Sequence, residues 1–176
     1  MSSPAGCRSV ALCAVLALAL VTSPALAHVT LETQQAPASS TYKGVLRVPH
    51  GCEGAATVRI TVNLPEGVTQ AQPMPKAGWR LTTQRREGGP QPAAGHGTLP
   101  EVASVTWEGG PLDSAHYDEF VVRFRTPDRP GEVIYIPVIQ DCEGGRSTGW
   151  TEIPAQGRRP SDYPHIAPAL RILPRS

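Results

Sequence analysis

No surplus of charge marks this sequence. Sixteen Lys and Arg residues against fifteen Asp and Glu leave a net charge of +1, so there is no electrostatic footprint for nucleic acid or for an anionic membrane surface. Long helical periods are missing as well. Nineteen prolines and seventeen glycines would break helix interiors, which excludes a helix bundle and suits short strands joined by turns. There is no Gly-rich phosphate loop, no G-x-S-x-G elbow and no H-E-x-x-H helix, hence no motif for nucleotide binding, nucleophilic hydrolysis or a zinc protease. Acidic pairs such as Asp118–Glu119 are adjacent, and on a strand adjacent side chains point to opposite faces, poor geometry for paired acid and base. The sequence offers no route to an enzyme through these signatures.

The N-terminus is a processing signal. Arg8 supplies the positive region, Val10 to Val21 the apolar run, and Ala25-Leu26-Ala27 the small-residue cleavage site. The run is too short for a stable bilayer anchor. Residues 1–27 are therefore expected to be a signal peptide, and 28–176 a single exported domain, periplasmic or secreted. Cleavage after Ala27 removes Cys7 and Cys13 and leaves Cys52 and Cys142. In an oxidising compartment these two suggest one disulfide, whose long loop would stabilise the fold by roughly 4 kcal/mol. The rival reading is a thiolate metal ligand.

Hydrophobic residues at 40% and charged residues at 18% allow a globular core. Strand character recurs at short spacing: Tyr42 to Val48, Ala56 to Leu64, Gly78 to Thr83, Val102 to Trp107, Glu119 to Phe124, Glu132 to Gln140, Trp150 to Ile153 and Ala169 to Leu173. Val58, Ile60, Val62 and Leu64 fall on one face at period two. Pro65-Glu66-Gly67 and Glu108-Gly-Gly-Pro111 read as turns. The stretch from Arg85 to Pro100 reads as a mobile loop, and Gln156 to Pro168 as irregular. The fold class expected is all-β: an antiparallel β-sandwich, immunoglobulin-like in the broad sense.

Cleavage after Ala27 would also put a free α-amine and an imidazole on one residue, His28. The amine and Nδ1 of that residue can chelate one metal ion. An α-amine of ordinary pKa, about 7.7 to 8.0, loses its proton near neutral pH at modest cost, as ligation requires. Nitrogen ligands in tetragonal geometry suit Cu(II), which also heads the divalent affinity order. The bland alternative is a histidine left there by chance.

An ordered series changes that balance: His28-Val-Thr-Leu-Glu32, Val48-Pro-His-Gly-Cys52, Pro73-Met-Pro-Lys-Ala-Gly-Trp79, Tyr117-Asp-Glu-Phe120, Pro137-Val-Ile-Gln-Asp-Cys142 and Trp150-Thr-Glu-Ile-Pro154. In this order it resembles the YcnI-like family of exported bacterial proteins, across essentially the whole expected mature chain. The resemblance implies a β-sandwich that binds Cu(II) through a single-histidine brace, with His28 as the brace, Trp150 as the tryptophan beside the metal, and a nearby carboxylate. Glu32, Glu119 and Glu152 are the candidates for that carboxylate; on a strand, Glu32 would share a face with His28. It also implies copper handling (storage, delivery or a metallochaperone relay) with a copper chaperone or a copper-import membrane protein as partner.

Other readings stay open beside this one. Of the two methionines, only Met74 would remain after cleavage, which argues against a thioether-rich Cu(I) site. A blue-copper centre needs two histidines and a thiolate, and Cys142 has no nearby His and Met. A copper oxidase acting on polysaccharides would need a second histidine from the fold, with His50, His116 and His165 available. A metal-free adhesion or assembly module is the fourth reading. His96 and His165 read as exposed, the His116 segment as a solvated loop, and Trp79 and Trp107 as packing residues.

Overall fold

The computed structural model describes residues 28–87 and 101–175. The expected signal peptide, and most of the expected mobile loop including His96, lie outside the described residues. The described residues hold twelve strands in chain order: β1 (Thr30–Leu31), β2 (Gln35–Pro37), β3 (Thr41–Val48), β4 (Thr57–Asn63), β5 (Thr69–Pro73), β6 (Trp79–Arg85), β7 (Val102–Leu112), β8 (Asp118–Arg125), β9 (Val133–Tyr135), β10 (Val138–Cys142), β11 (Ser147–Trp150) and β12 (Ala169–Leu173). Two single-turn 3-10 segments, Glu143–Gly145 and Pro160–Asp162, are the only helical elements among the described residues.

The strands form a four-stranded sheet, β1-β3-β8-β5, a five-stranded sheet, β11-β10-β4-β7-β6, and a small sheet, β2-β12-β9. Among the described residues, every pairing between these strands is antiparallel except β2 with β12. Alternation explains the layering. From the four-stranded sheet, Leu46, Val48, Phe120, Val122 and Phe124 turn inward; from the five-stranded sheet, Ile60, Val62, Val105 and Trp107 do so, and all join one buried cluster. Aromatic rings pack within this interior: Phe120 lies edge-on to Trp107 at 5.5 Å and to Trp79 at 5.0 Å.

The antiparallel sandwich is as expected, with four local corrections. Trp150 to Ile153 is not a strand of its own: Trp150 closes β11, and beyond it only Glu152 forms an isolated bridge. Val58 does not share the buried face of Ile60, Val62 and Leu64, because the β4–β7 register shifts between Thr57 and Arg59. The bulge turns Thr57 inward, fully buried, and leaves Val58 half-buried. Glu108-Gly-Gly-Pro111 is not a turn but part of β7. A Cβ on Gly109 would stand 2.4 Å from the Gly78 carbonyl oxygen, so glycine here permits β7 to pass close under the 76–79 turn. The expected single strand from Glu132 to Gln140 divides at Pro137. Proline cannot donate to a ladder, and here the chain passes from the small sheet, where β9 pairs with β12, to the five-stranded sheet, where β10 pairs with β4 and β11.

Cys52 and Cys142 form a disulfide, with Cα atoms 5.9 Å apart. It ties the loop after β3 to the end of β10, and both cysteines are buried. The expected disulfide is present, and the rival reading of the two cysteines as thiolate ligands falls.

Candidate metal centre

His28 is held in place by its neighbours. Val29 and Leu31 are buried in the sandwich, so alternation sends His28, Thr30 and Glu32 outward. Thr30 pairs with Arg47 of β3, and the Glu32 backbone N–H donates to the Val45 carbonyl at 2.9 Å. The second wall of the site comes from the chain after β11. Glu152 and Ile166 form an isolated parallel bridge. The Glu152 N–H donates to the His165 carbonyl at 3.0 Å, and the Glu152 carboxylate accepts the His165 N–H at 2.6 Å. The Tyr163 hydroxyl accepts the Ala155 N–H at 3.0 Å. Residues 155–166 are thereby strapped across the open end of the sheet.

The strap meets His28 directly. The imidazole Nε2 lies 3.0 Å from the Pro164 carbonyl oxygen. A carbonyl can only accept, so Nε2 carries the proton, and in the neutral ring the lone pair belongs to Nδ1. Trp150, only 4% exposed, sits with its ring 5.0 Å from the His28 ring at a 55° tilt. The His165 ring lies 5.5 Å from the same indole. In front of His28 opens a mainly apolar cleft of about 560 Å³, bordered by Thr30, Tyr163, Pro164 and Ile166.

The three carboxylates of the sequence reading divide into two groups. Glu152 anchors the strap that carries His165 and Pro164. Glu32 and Glu119 converge on Arg47, Glu32 at 2.9 Å and Glu119 at 3.8 Å. The Tyr117 hydroxyl donates to Glu119, and this bond to a carboxylate raises the Tyr117 pKa. Burial, helped by the negative charge of Glu32, pushes Tyr42 up to about 12. Among the described residues, no group of three or more His, Cys, Asp and Glu side chains is arranged to hold a metal.

His165 is exposed, as read from the sequence, and its ring packs on Trp150. Two contributors escaped the sequence reading. Pro164 acts through a backbone carbonyl, which has no side-chain signature. Gln140 accepts the Trp150 indole N–H at 3.2 Å from inside the core; an inward-facing polar residue in period with Val138 and Cys142 was the available signal.

A family model described as a domain of unknown function, DUF1775, matches residues 28–172. The chain belongs to that family. This DUF1775 chain is also 25% identical, over 150 residues, to the copper-binding protein CutI of Bacillus subtilis strain 168. That alignment takes in 84% of this chain and 64% of CutI, so the chain spans slightly less than two thirds of that relative. The YcnI-like resemblance seen in the ordered motifs is thus a true family relationship. A crystal structure of an uncharacterized protein from Nocardia farcinica, with an immunoglobulin-like fold, is 30% identical and superposes with a TM-score of 0.65. It covers 83% of this DUF1775 chain and 98% of its own length. The β-sandwich is immunoglobulin-like.

Proposed function

We propose that this protein is exported, is cleaved after Ala27, and binds copper as Cu(II) through the α-amine and Nδ1 of His28. The observation that carries the reading is the bond from His28 Nε2 to the Pro164 carbonyl. A metal-ligating histidine characteristically donates its second ring N–H to a carbonyl or carboxylate, which fixes the tautomer and the ring plane. Here that bond assigns the lone pair to Nδ1, the nitrogen that closes a chelate ring with the residue's own amine. Support also comes from the start of the family match at His28 and from the copper-binding relative.

The donor set fits. Two nitrogens from one residue need no cluster of other ligating side chains. Both mature cysteines are joined in a disulfide, so neither supplies the thiolate of a blue-copper centre. Bound at His28, copper would supply a redox-active, exchangeable cation at the protein surface. Pro164 orients the imidazole, and the Trp150 ring packs beside it at a 55° tilt, limiting water on that side. An open cleft beside the ring suits transfer to and from other copper carriers. We therefore read the protein as a binding protein of copper storage, delivery or a metallochaperone relay, with a copper chaperone or copper-import membrane protein as its partner.

The test is electron paramagnetic resonance of Cu(II) bound to mature protein starting at His28, beside a form carrying one extra residue before it. One equivalent of nitrogen-coordinated Cu(II), lost or rearranged in the extended form, is expected. Identical spectra from both forms would sink the brace.

A further inference from the structure

The one carboxamide of β10 stands where an apolar side chain would be expected. Gln140 is 1% exposed, in period with buried Val138 and Cys142. Its polar atoms are nonetheless all engaged. Nε2 donates to the His50 carbonyl at 2.6 Å and to the Thr57 hydroxyl at 2.8 Å, and Oε1 accepts the Trp150 indole N–H at 3.2 Å. A primary amide has two N–H donors and one carbonyl acceptor, so each is used in a different direction. One side chain therefore joins the loop after β3, the bulged start of β4, and the tryptophan of the candidate centre.

The geometry follows from register. Val138 pairs with Trp150 and Gln140 with Thr148, which makes Gln140 and Trp150 diagonal neighbours on one face. An indole in such a pocket has two orientations about its attachment to Cβ, and only one presents Nε1 to Gln140. The hydrogen bond selects that orientation, and with it the ring lies 5.0 Å from His28. The other end of the link is fixed too. The His50 carbonyl precedes Cys52, whose backbone N–H meets Cys142 Sγ at 3.0 Å, and the disulfide bonds that loop to β10.

We propose that Gln140 is a positioning residue for the His28 site, locking the Trp150 indole against the His28 imidazole, with the Cys52–Cys142 disulfide anchoring the far end of the lock. The inference rests on the copper reading for its consequence, but the lock itself exists without metal.

The test uses mature protein starting at His28 and four forms: wild type, Gln140→Leu, Gln140→Glu and Thr57→Val. Metal-free samples report the Trp150 indole N–H resonance and the His28 ring-proton shifts; loaded samples report the Cu(II) spectrum and affinity. Gln140→Leu should move both metal-free signals, rearrange the Cu(II) spectrum and weaken binding by roughly tenfold, the scale on which second-sphere partners act. Thr57→Val also removes a buried hydrogen bond to Gln140 but spares the indole, so it should lower stability and leave every site signal in place. Gln140→Glu keeps an acceptor for the indole and should retain the wild-type His28 shifts. Unmoved His28 shifts in Gln140→Leu, or equal changes in Thr57→Val, would overturn the lock. If Gln140→Leu does not fold, displaced His28 shifts in folded Gln140→Glu overturn it and retained ones support it. If the wild type shows no His28-dependent Cu(II) signal, the copper reading falls, while the metal-free shifts still decide the role of Gln140.

Discussion

His28 and Pro164 are 136 positions apart in the chain and share a 3.0 Å hydrogen bond from imidazole Nε2 to backbone carbonyl. The first prediction follows from the direction of that bond. Because the carbonyl accepts, the neutral His28 ring should be the Nε2–H tautomer. Long-range proton–nitrogen correlation spectra of metal-free protein with the ring neutral will show it. A dominant Nδ1–H form would remove the main support for chelation through Nδ1.

Tyr42 carries a prediction about alkaline stability. Its hydroxyl donates to the Thr33 carbonyl at 2.5 Å, and burial together with Glu32 holds its pKa at about 12. The folded-state value lies above the unfolded one, near 10. The protonated phenol therefore contributes stability that is complete below the unfolded pKa and is lost as pH rises through the folded one. Urea unfolding followed from about pH 8 to about pH 11.5 should show wild-type stability falling over the upper part of that window. Tyr42→Phe should cost about 1 kcal/mol at pH 8 through the lost hydrogen bond and should flatten the alkaline fall. Equal pH slopes for the two proteins would rule out Tyr42 as the cause.

The sandwich was legible in the sequence because the long strands alternate cleanly: Leu46 and Val48, then Ile60 and Val62, then Phe120, Val122 and Phe124, mark one buried face after another. Features set by backbone rather than by pattern were not. β1, β2 and β5 are too short or too polar to show a period. At Pro137 the chain changes sheets inside an unbroken apolar run, and Gly109 and Gly110 extend a strand although their composition signals a turn. At the candidate centre, His28 was legible through the cleavage rule, and Trp150 through the family resemblance. Pro164 was not, since any residue can offer a carbonyl, and its approach to His28 is a product of tertiary folding.

The carboxylates can be ranked by what already neutralises them. Glu32 and Glu119 share Arg47, so each contributes a diminished field to His28. Glu152 anchors the strap, its carboxylate bound to the backbone N–H of His165. Glu152→Gln keeps an acceptor for that N–H and removes only the charge. It should weaken Cu(II) binding by roughly tenfold, the scale of an outer-sphere ligand partner. Glu32→Gln and Glu119→Gln should each change it by less than about threefold, as expected for partly exposed, salt-screened pairs. Chelator competition on the three variants checks the order. A larger effect from Glu32→Gln would transfer the carboxylate role to the β1 side.

The disulfide should matter twice. Cys52 and Cys142 are separated by 90 positions, and opening a loop of that length releases conformational freedom in the unfolded chain worth about 4 kcal/mol. The double variant Cys52→Ala/Cys142→Ala should lose stability of that order, read as a lower urea midpoint, with a steeper slope because the uncrosslinked unfolded chain exposes more surface. It should also loosen the loop that presents the His50 carbonyl to Gln140. Folded molecules of the double variant, studied well below the new midpoint, should therefore show faster hydrogen exchange at the Trp150 indole N–H than wild type. A control, wild-type protein brought to the same stability with urea, should not show that local increase. If the control and the double variant exchange alike at Trp150, the disulfide stabilises the fold globally and has no separate hold on the tryptophan beside His28.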